Sequence, residues 1–418
     1  MANEYIDIKR AQTVGTEISL PASKSISNRA LIINALSGSE EKPQNLSDCD
    51  DTQVMIAALR DMPEVIDIGA AGTAMRFLTA YLCVTPGTHT ITGTERMRHR
   101  PIGILVDALR QLGADVQYEG EEGFPPLRIV GCKNLKGGNV EMAANVSSQF
   151  LSALLMIGPT LEKGLTLKLK GHIASKPYLE MTMQMMRAFG AEVEWESGDS
   201  IRVKHGAYKH TPYVIENDWS AASYWYEIVA LTEDSNAWVE LPGLSMDSLQ
   251  GDSCVRRIFD VLGVGTEEYL CASGQRGIRI FKQGGETDYL TCDFTNCPDL
   301  AQTVAVTCAL KEIPYSLTGV ESLRIKETDR LAALRNELYT LGYRLDDSDC
   351  KLEWGGFYSS EEDGIPVIHT YDDHRMAMAF APACCCRPMI RILNPKVVSK
   401  SYPTFWDNLE KAGFRICS

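Results

Sequence analysis

The chain has 418 residues, 44% hydrophobic and 23% charged, with 41 Lys plus Arg against 55 Asp plus Glu and a formal net charge of -14. That length exceeds one ordinary hydrophobic core and predicts two domains of roughly 200 residues, while the acidic balance argues against a protein that neutralises a nucleic-acid backbone. No apolar run approaches the roughly 20 residues of a membrane span, and the charges in Met1–Leu20 do not read as a signal peptide, so a cytoplasmic chain with no membrane partner is expected. Thirteen cysteines are scattered without a metal-like C-x-x-C pair, which predicts reduced, mostly buried thiols.

Tyr5 to Leu20 reads as a strand pair without a helix. LPASKSISNRAL follows, with Lys24, Ser25 and Arg29 at the start of a helix, where hydroxyl caps and the positive end of the dipole favour an anion. An ordinary capped helix with solvated charges is the plain alternative. TQVMIAALRDM ends a further amphipathic helix near Met62. In IGAAGTAMRFLTA, Gly72 and Thr73 open a helix at a turn that lets backbone N–H groups approach a phosphate, or that merely caps a core helix. ERMRHRPIG brings Arg96, Arg98 and Arg100 together on a basic loop, suited to phosphate or simply solvated.

NVSSQFLSALLM sets Ser147, Ser148 and Gln149 before an apolar helix, and HIASKPYLEMT repeats the pattern with Ser175, Lys176 and Tyr178. One serine would suffice as an N-cap in each. CPDLAQTVAV places Asp299 before an apolar helix, where capping is the simpler role. LRIKETDRLAAL concentrates Arg324, Lys326, Glu327, Asp329 and Arg330 at a helix start, with Lys326 and Arg330 expected one turn apart on one face. TYDDHRMAMAFA packs Asp372, Asp373, His374 and Arg375 ahead of an apolar helix, an improbable position for such groups outside a site, and VVSKSYPTF carries Lys400.

Five amphipathic helices end in glycine, at Gly113, Gly190, Gly263, Gly342 and Gly413, spaced 71 to 79 residues apart. Each glycine suits the left-handed residue that closes a helix, and a strand, turn, strand pattern follows. With the Met62 copy, which lacks room for its hairpin, this reads as six α/β units grouped three and three. The last copy ends at FRICS one strand short, so Tyr5–Leu20 is expected to complete the C-terminal domain. The expected domains are 21–217, and 1–20 plus 218–418, with hinges at both crossings and the active site in the cleft between.

KSISNR, GTAMR, RPIG, SSQF, SKPY, KETDR, DHRMAM and KSYP stand in the order found in the 5-enolpyruvylshikimate-3-phosphate synthases, a family this chain resembles from Leu20 to Glu410. The resemblance implies an α/β fold of two similar domains, each of three βαβαββ units around a pseudo-threefold axis. It implies transfer of the enolpyruvyl group of phosphoenolpyruvate to shikimate 3-phosphate in aromatic amino-acid biosynthesis, by a monomer needing no cofactor and no metal. By carry-over, Ser25 and Arg29 hold the shikimate carboxylate. Ser147, Ser148, Ser175 and Lys326 hold its 3-phosphate, and Tyr178, Gln149, Asp299 and Ser322 complete that pocket. Lys24, Gly72, Arg100, Gln149 and Lys400 surround the phosphoenolpyruvate phosphate, while Arg330 and Arg375 grip its carboxylate. Asp299, Glu327 and Lys24 are the catalytic set, with Asp299 or Lys24 taking the hydroxyl proton and Glu327 serving C3.

Ala70 replaces the family's usual asparagine, Phe77 a small or cyclic residue and Ser322 an asparagine. Phe77 is expected to press the Gly72 turn toward the ligand. Two alternatives stand beside this reading. A transferase acting on a UDP-amino sugar would carry a cysteine in the loop where positions 95 to 103 have none, and a silent anion-binding protein would have lost Glu327, Asp299 or Arg375, all present here.

Overall fold

The computed structural model describes residues 4–144, 147–171, 173, 175–270, 274–348, 350–359 and 364–417. Asn145 and Val146, which open one serine motif, and His172 and Ala174 of the other lie outside them. The chain divides into two compact units, Ala22–Ile215 and Met1–Pro21 with Glu216–Ser418.

The five repeat glycines all have left-handed backbone, with φ of 101° at Gly113, 84° at Gly190, 88° at Gly263, 96° at Gly342 and 95° at Gly413. Only a residue without Cβ adopts this geometry freely. Met62, which ends the copy without a glycine, takes the same turn at φ 40°. The periodicity read along the sequence is thus one repeated way of ending a helix and reversing the chain.

Three copies show the full order of strand, helix, strand, helix, strand, strand. In Ala22–Ile215 the first copy has strands Val65–Asp67, Gly87–Thr92, Asp115–Tyr118 and Leu127–Gly131 around helices Gly72–Cys83 and Gly103–Gln111. The second has strands Gly138–Ala143, Leu165–Lys170, Val193–Ser197 and Ser200–Val203 around helices Ser148–Ile157 and Lys176–Ala188. In both, the first two strands pair in parallel across a helix and the last two close as an antiparallel hairpin. Strands Leu290–Asp293, Tyr315–Thr318, Asp346–Ser348 and Lys351–Trp354 repeat this in the other unit.

The N-terminal stretch donates one strand to each of two further sheets. Tyr5–Lys9 lies between Ile390–Leu393 and Arg415–Cys417, antiparallel to both, so the strand that FRICS leaves unfilled comes from the start of the chain. Gly15–Glu17 pairs in parallel with Trp238–Pro242. The copy ending at Met62 departs from the pattern: it has helices Lys24–Leu36 and Asp50–Asp61, and where a sheet would be expected its described residues form no strand, though Gln44 bridges to Val214. Val65 already begins the next strand, which leaves no chain for a hairpin.

In Ala22–Ile215, helices Lys24–Leu36, Gly72–Cys83, Ser148–Ile157 and Lys176–Ala188 pack on one another. In the other unit, helices Trp219–Leu231, Ala301–Leu310 and His374–Phe380 form a core with Trp219, Trp225, Phe259 and Phe380 fully buried. Burying each such side chain contributes about 1.5–3 kcal/mol, which holds the polar first turns of these helices in place. Among the described residues no helix is long and apolar enough to cross a membrane, and no group of three or more His, Cys, Asp or Glu could hold a metal ion. The twelve described cysteines are free thiols, six of them buried and three exposed.

Candidate active site

Two clusters hold the predicted residues, one in each unit. In Ala22–Ile215 most of them lie on the first turns of the four packed helices, where unpaired N–H groups and the dipole favour anions; Arg29 lies one turn further into its helix, and Arg100 lies between Glu95–Arg98 and Gly103–Gln111. Ser23 caps the first of these by accepting from Ile26 N at 3.4 Å, and Lys24 Nζ lies 3.6 Å from Asp51 Oδ2. Arg29 is 2% exposed; it donates to Thr182 Oγ1 at 2.7 Å, Ser25 O at 2.9 Å and Ser152 Oγ at 3.0 Å. None of those acceptors is a carboxylate, and burial pulls the guanidinium down to about 10. Its face lies 5.2 Å from the Phe77 ring centre and 5.8 Å from that of Tyr178.

Phe77 is fully buried, and the contact its ring shows is with Arg29, which it supports. Ala70 is exposed just ahead of the turn. Gly72 is where the arginines come close: a Cβ there would meet Arg100 Nη1 at 2.7 Å and Arg76 Nη1 at 3.2 Å. Arg76 is itself buried and donates to Gly72 O at 3.0 Å. Gln149 Nε2 donates to Thr73 Oγ1 at 3.1 Å, which ties the start of helix Ser148–Ile157 to that of helix Gly72–Cys83. The basic stretch read as a loop contains the short helix Glu95–Arg98, capped by Thr94, with Arg96 and Arg98 exposed.

The two serine motifs differ. Ser147 is a working N-cap, accepting from Gln149 N at 3.4 Å, and Ser148 follows half-buried in the first turn. Ser175 occupies the cap position of Lys176–Ala188 in a left-handed conformation, φ 54°, and its side chain makes no capping bond. A non-glycine residue held there costs of order 1–3 kcal/mol and marks a candidate site. Tyr178 lies one turn on and Lys176 points its ammonium over Trp195 at 5.1 Å.

In the other unit Arg330 is the hub. Asp329 caps helix Arg330–Thr340 by accepting from Ala332 N at 3.1 Å, so the helix begins at Arg330 and Lys326 lies before it, outside helical backbone. Lys326 and Arg330 are thus not one turn apart on a helix, as the spacing predicted; they converge through Asp299. Arg330 Nη1 donates to Asp299 Oδ1 at 3.0 Å, and Lys326 Nζ lies 3.7 Å from the same oxygen. Arg330 also donates to Glu327 Oε2 at 2.7 Å and to Asp373 Oδ2 at 2.6 Å. Burial lowers the proton affinity of Arg330, but Asp373, Glu327 and Asp299 overcome it and hold the guanidinium firmly charged.

Asp299 is not the N-cap that its position suggested. It sits in the 3₁₀ turn Pro298–Leu300, one step too early to cap helix Ala301–Leu310. Its second oxygen accepts from Arg375 Nη2 at 2.9 Å. Arg375 also donates to Tyr224 OH at 3.3 Å, and Tyr224 is pushed up to about 12, mainly by burial. Asp373 caps the Arg375 helix by accepting from Arg375 N at 2.9 Å. Lys400 Nζ donates to Asp372 O at 2.6 Å, and Ser322 is exposed in the turn Glu321–Ile325.

Sequence reasoning missed Asp51, Ser152, Thr182 and Tyr224. Hydroxyls and a phenol inside apolar helices read as core, and only the partner brought by packing reveals them. Asp373 and Arg76 stood within quoted motifs without a role.

The pattern of the family described as EPSP synthase (3-phosphoshikimate 1-carboxyvinyltransferase) matches residues 8–66 and 61–409. The chain is 57% identical over 400 residues to a 3-phosphoshikimate 1-carboxyvinyltransferase of Bacteroides fragilis, covering 96% of this chain and 95% of that one. It is 37% identical over 434 residues to the protein of that name from Bordetella pertussis, covering 96% and 97%. Among solved structures, an EPSP synthase of Acinetobacter baumannii superposes with a TM-score of 0.77 at 23% identity, over 99% of this chain and 100% of that one. The enolpyruvyl transferase NikO of Streptomyces tendae gives 0.72 at 16% identity, over 99% and 98%. At those identities the two structures speak to the fold, which is that of the enolpyruvyl transferases.

Proposed function

The chain belongs to the EPSP synthase family, and from that premise we propose that Asp299 and Glu327 carry the proton transfers of a 3-phosphoshikimate 1-carboxyvinyltransferase. The EPSP synthase reaction moves the enolpyruvyl group of phosphoenolpyruvate to the 5-hydroxyl of shikimate 3-phosphate and releases phosphate, on the route to chorismate. The hydroxyl oxygen adds to C2 while C3 gains a proton; C3 then loses a proton as phosphate leaves C2. The demands are a base for the hydroxyl, an acid that becomes a base at C3, and cations for the departing phosphate.

The observation that carries the assignment is the Arg330 hub, which holds Asp299 and Glu327 on adjacent nitrogens of one buried guanidinium. Two carboxylates fixed to one rigid fork keep their separation through the two steps. Lys24 is paired with Asp51, and in this reading Asp299 is the base, with Lys24 and Lys400 left for the phosphate. Arg29, buried without a carboxylate among its three acceptors, suits the carboxylate of shikimate 3-phosphate, with Ser25 beside it. Ser147, Ser148, Ser175 and Lys326 take its 3-phosphate, with Tyr178, Gln149 and Ser322 completing the pocket. Gly72, Arg100 and Gln149 take the phosphoenolpyruvate phosphate. Arg330 and Arg375 would receive its carboxylate on donors they share with Asp299. In this reading the protein is a cytoplasmic monomer.

A phosphate-release assay tests it. Purified chain with both substrates is expected to release phosphate only when both are present, with equimolar enolpyruvyl product by mass spectrometry. Release from phosphoenolpyruvate alone would overturn the reading.

A further inference from the structure

Asp299, the base of this reading, accepts from two guanidiniums. One carboxyl that the mechanism leaves unused bears on this. Asp252, in the 3₁₀ turn Gly251–Cys254, is 3% exposed. Its Oδ2 accepts from Ser220 Oγ, on the first turn of helix Trp219–Leu231, and its Oδ1 meets no hydrogen-bond partner among the described residues. An open oxygen on a buried carboxylate makes the charged form expensive.

Packing places this carboxyl beside the cluster. The Trp219 helix packs against the turn of Asp252, the turn of Asp299 and the helix of Arg375. The charged groups that bear on Asp252 are Asp299, Arg375 and Asp218, the N-cap of the Trp219 helix. Cys254 lies on its own turn and Cys297 two residues before Asp299, while Arg256 on the following helix turns to Met246 Sδ at 3.1 Å. Burial first, and then the negative charge of Asp299, push the Asp252 carboxyl up to about 7, against the pull of Arg375 and of the Ser220 hydroxyl.

We propose that Asp252 is a positioning residue for the base: it forms a carboxyl pair with Asp299, and loss of a proton from Asp252 strengthens Asp299 as acceptor of the hydroxyl proton. Coupled carboxyls titrate as a pair, and a second negative charge raises the proton affinity of the first. This rests on the reading of Asp299 as the base.

The experiment measures phosphate release against pH from 5.5 to 9, at saturating substrates, for the parent, Asp252→Asn and Ser220→Ala. The parent kcat is expected to rise through a step near 7. Asp252→Asn should lose that step and stay about three- to tenfold below the parent at pH 8, within the range of a proton-transfer effect, with both KM values within about twofold. Ser220→Ala should keep the step but move it to higher pH, because the hydroxyl bond that favours the charged carboxyl is gone. A step that survives in Asp252→Asn, or does not move in Ser220→Ala, overturns the proposal. If Asp252→Asn does not fold, Ser220→Ala decides. Melting curves without substrate read the pair independently of turnover. A folded carboxyl raised above the ordinary aspartate value of about 3.9 binds extra protons between there and about 7, so parent stability should fall across that range relative to Asp252→Asn. A pH-independent gap between the two overturns the buried titration, whereas a parent without turnover would overturn the functional reading instead.

Discussion

Arg330 Nη1 lies 3.0 Å from Asp299 Oδ1, and the guanidinium making this contact is 2% exposed while the carboxylate is 19% exposed. A buried arm thus holds a carboxylate that still reaches solvent. The same arm compensates Asp373, which is fully buried. Removing the guanidinium leaves that charge stranded, so Arg330→Met is expected to cost about 3–5 kcal/mol of stability. Arg330→Lys should lose less stability but most activity, because one ammonium cannot reproduce the fork. Urea melts and turnover check both; a Met variant within 1 kcal/mol of the parent would show that the hub is not structural.

Glu327→Gln keeps the size of the side chain and an oxygen for Arg330, but removes the titrating group. Turnover is expected to fall about 100- to 10,000-fold, with both KM values within a few fold. Phosphate release within a few fold of the parent would remove Glu327 from the C3 role.

Phe77→Leu takes away the ring 5.2 Å from Arg29 while keeping an apolar side chain. A cation over an aromatic face is worth about 0.5–2 kcal/mol. The KM for shikimate 3-phosphate should rise about two- to thirtyfold, with that for phosphoenolpyruvate nearly unchanged. Equal shifts in both would mean that the ring bears on the Gly72 turn after all.

Asp7 and Arg391 form a bidentate pair, 2.7 Å and 2.8 Å, that ties the N-terminal strand to Ile390–Leu393. Hydrogen bonds from Arg391 hold the Asp7 carboxyl below its usual range, outweighing partial burial. A depressed folded-state value means the stabilisation is present above the ordinary aspartate value of about 3.9 and is lost as pH falls through the lower one. Asp7→Asn should therefore destabilise by about 1 kcal/mol at pH 7 and match the parent near pH 2. Urea melts at both values test it, and a gap that persists in acid would assign the loss to packing.

Much of the fold was legible because its signals are local. Gly113, Gly190, Gly263, Gly342 and Gly413 each close a helix in left-handed backbone, a demand that one residue meets with its neighbours alone. The serine motifs were half legible: Ser147 caps as the pattern says, whereas the backbone of Ser175 is turned by surroundings that the pattern does not contain. The capping role weighed as the simpler one for Asp299 fails because Pro298 and Leu300 tighten the start of its helix, and Lys326 was placed in a helix that Asp329 starts later.

By itself the sequence determined the repeat, the ordered motifs that carry the family, and the residue types of the site, since helix ends, turns and alternation are set by interactions within a few residues. Only the tertiary structure decided which charges meet. Arg330 finds Asp299 across 31 residues and Asp373 across 43, Arg375 finds Asp299 across 76, and Arg29 settles between Phe77 and Tyr178. Those encounters, and the burial of Asp252 beside them, depend on apolar helices packing at one distance and no other. Charge pairing in a protein interior follows that packing, and no local pattern in the chain encodes it.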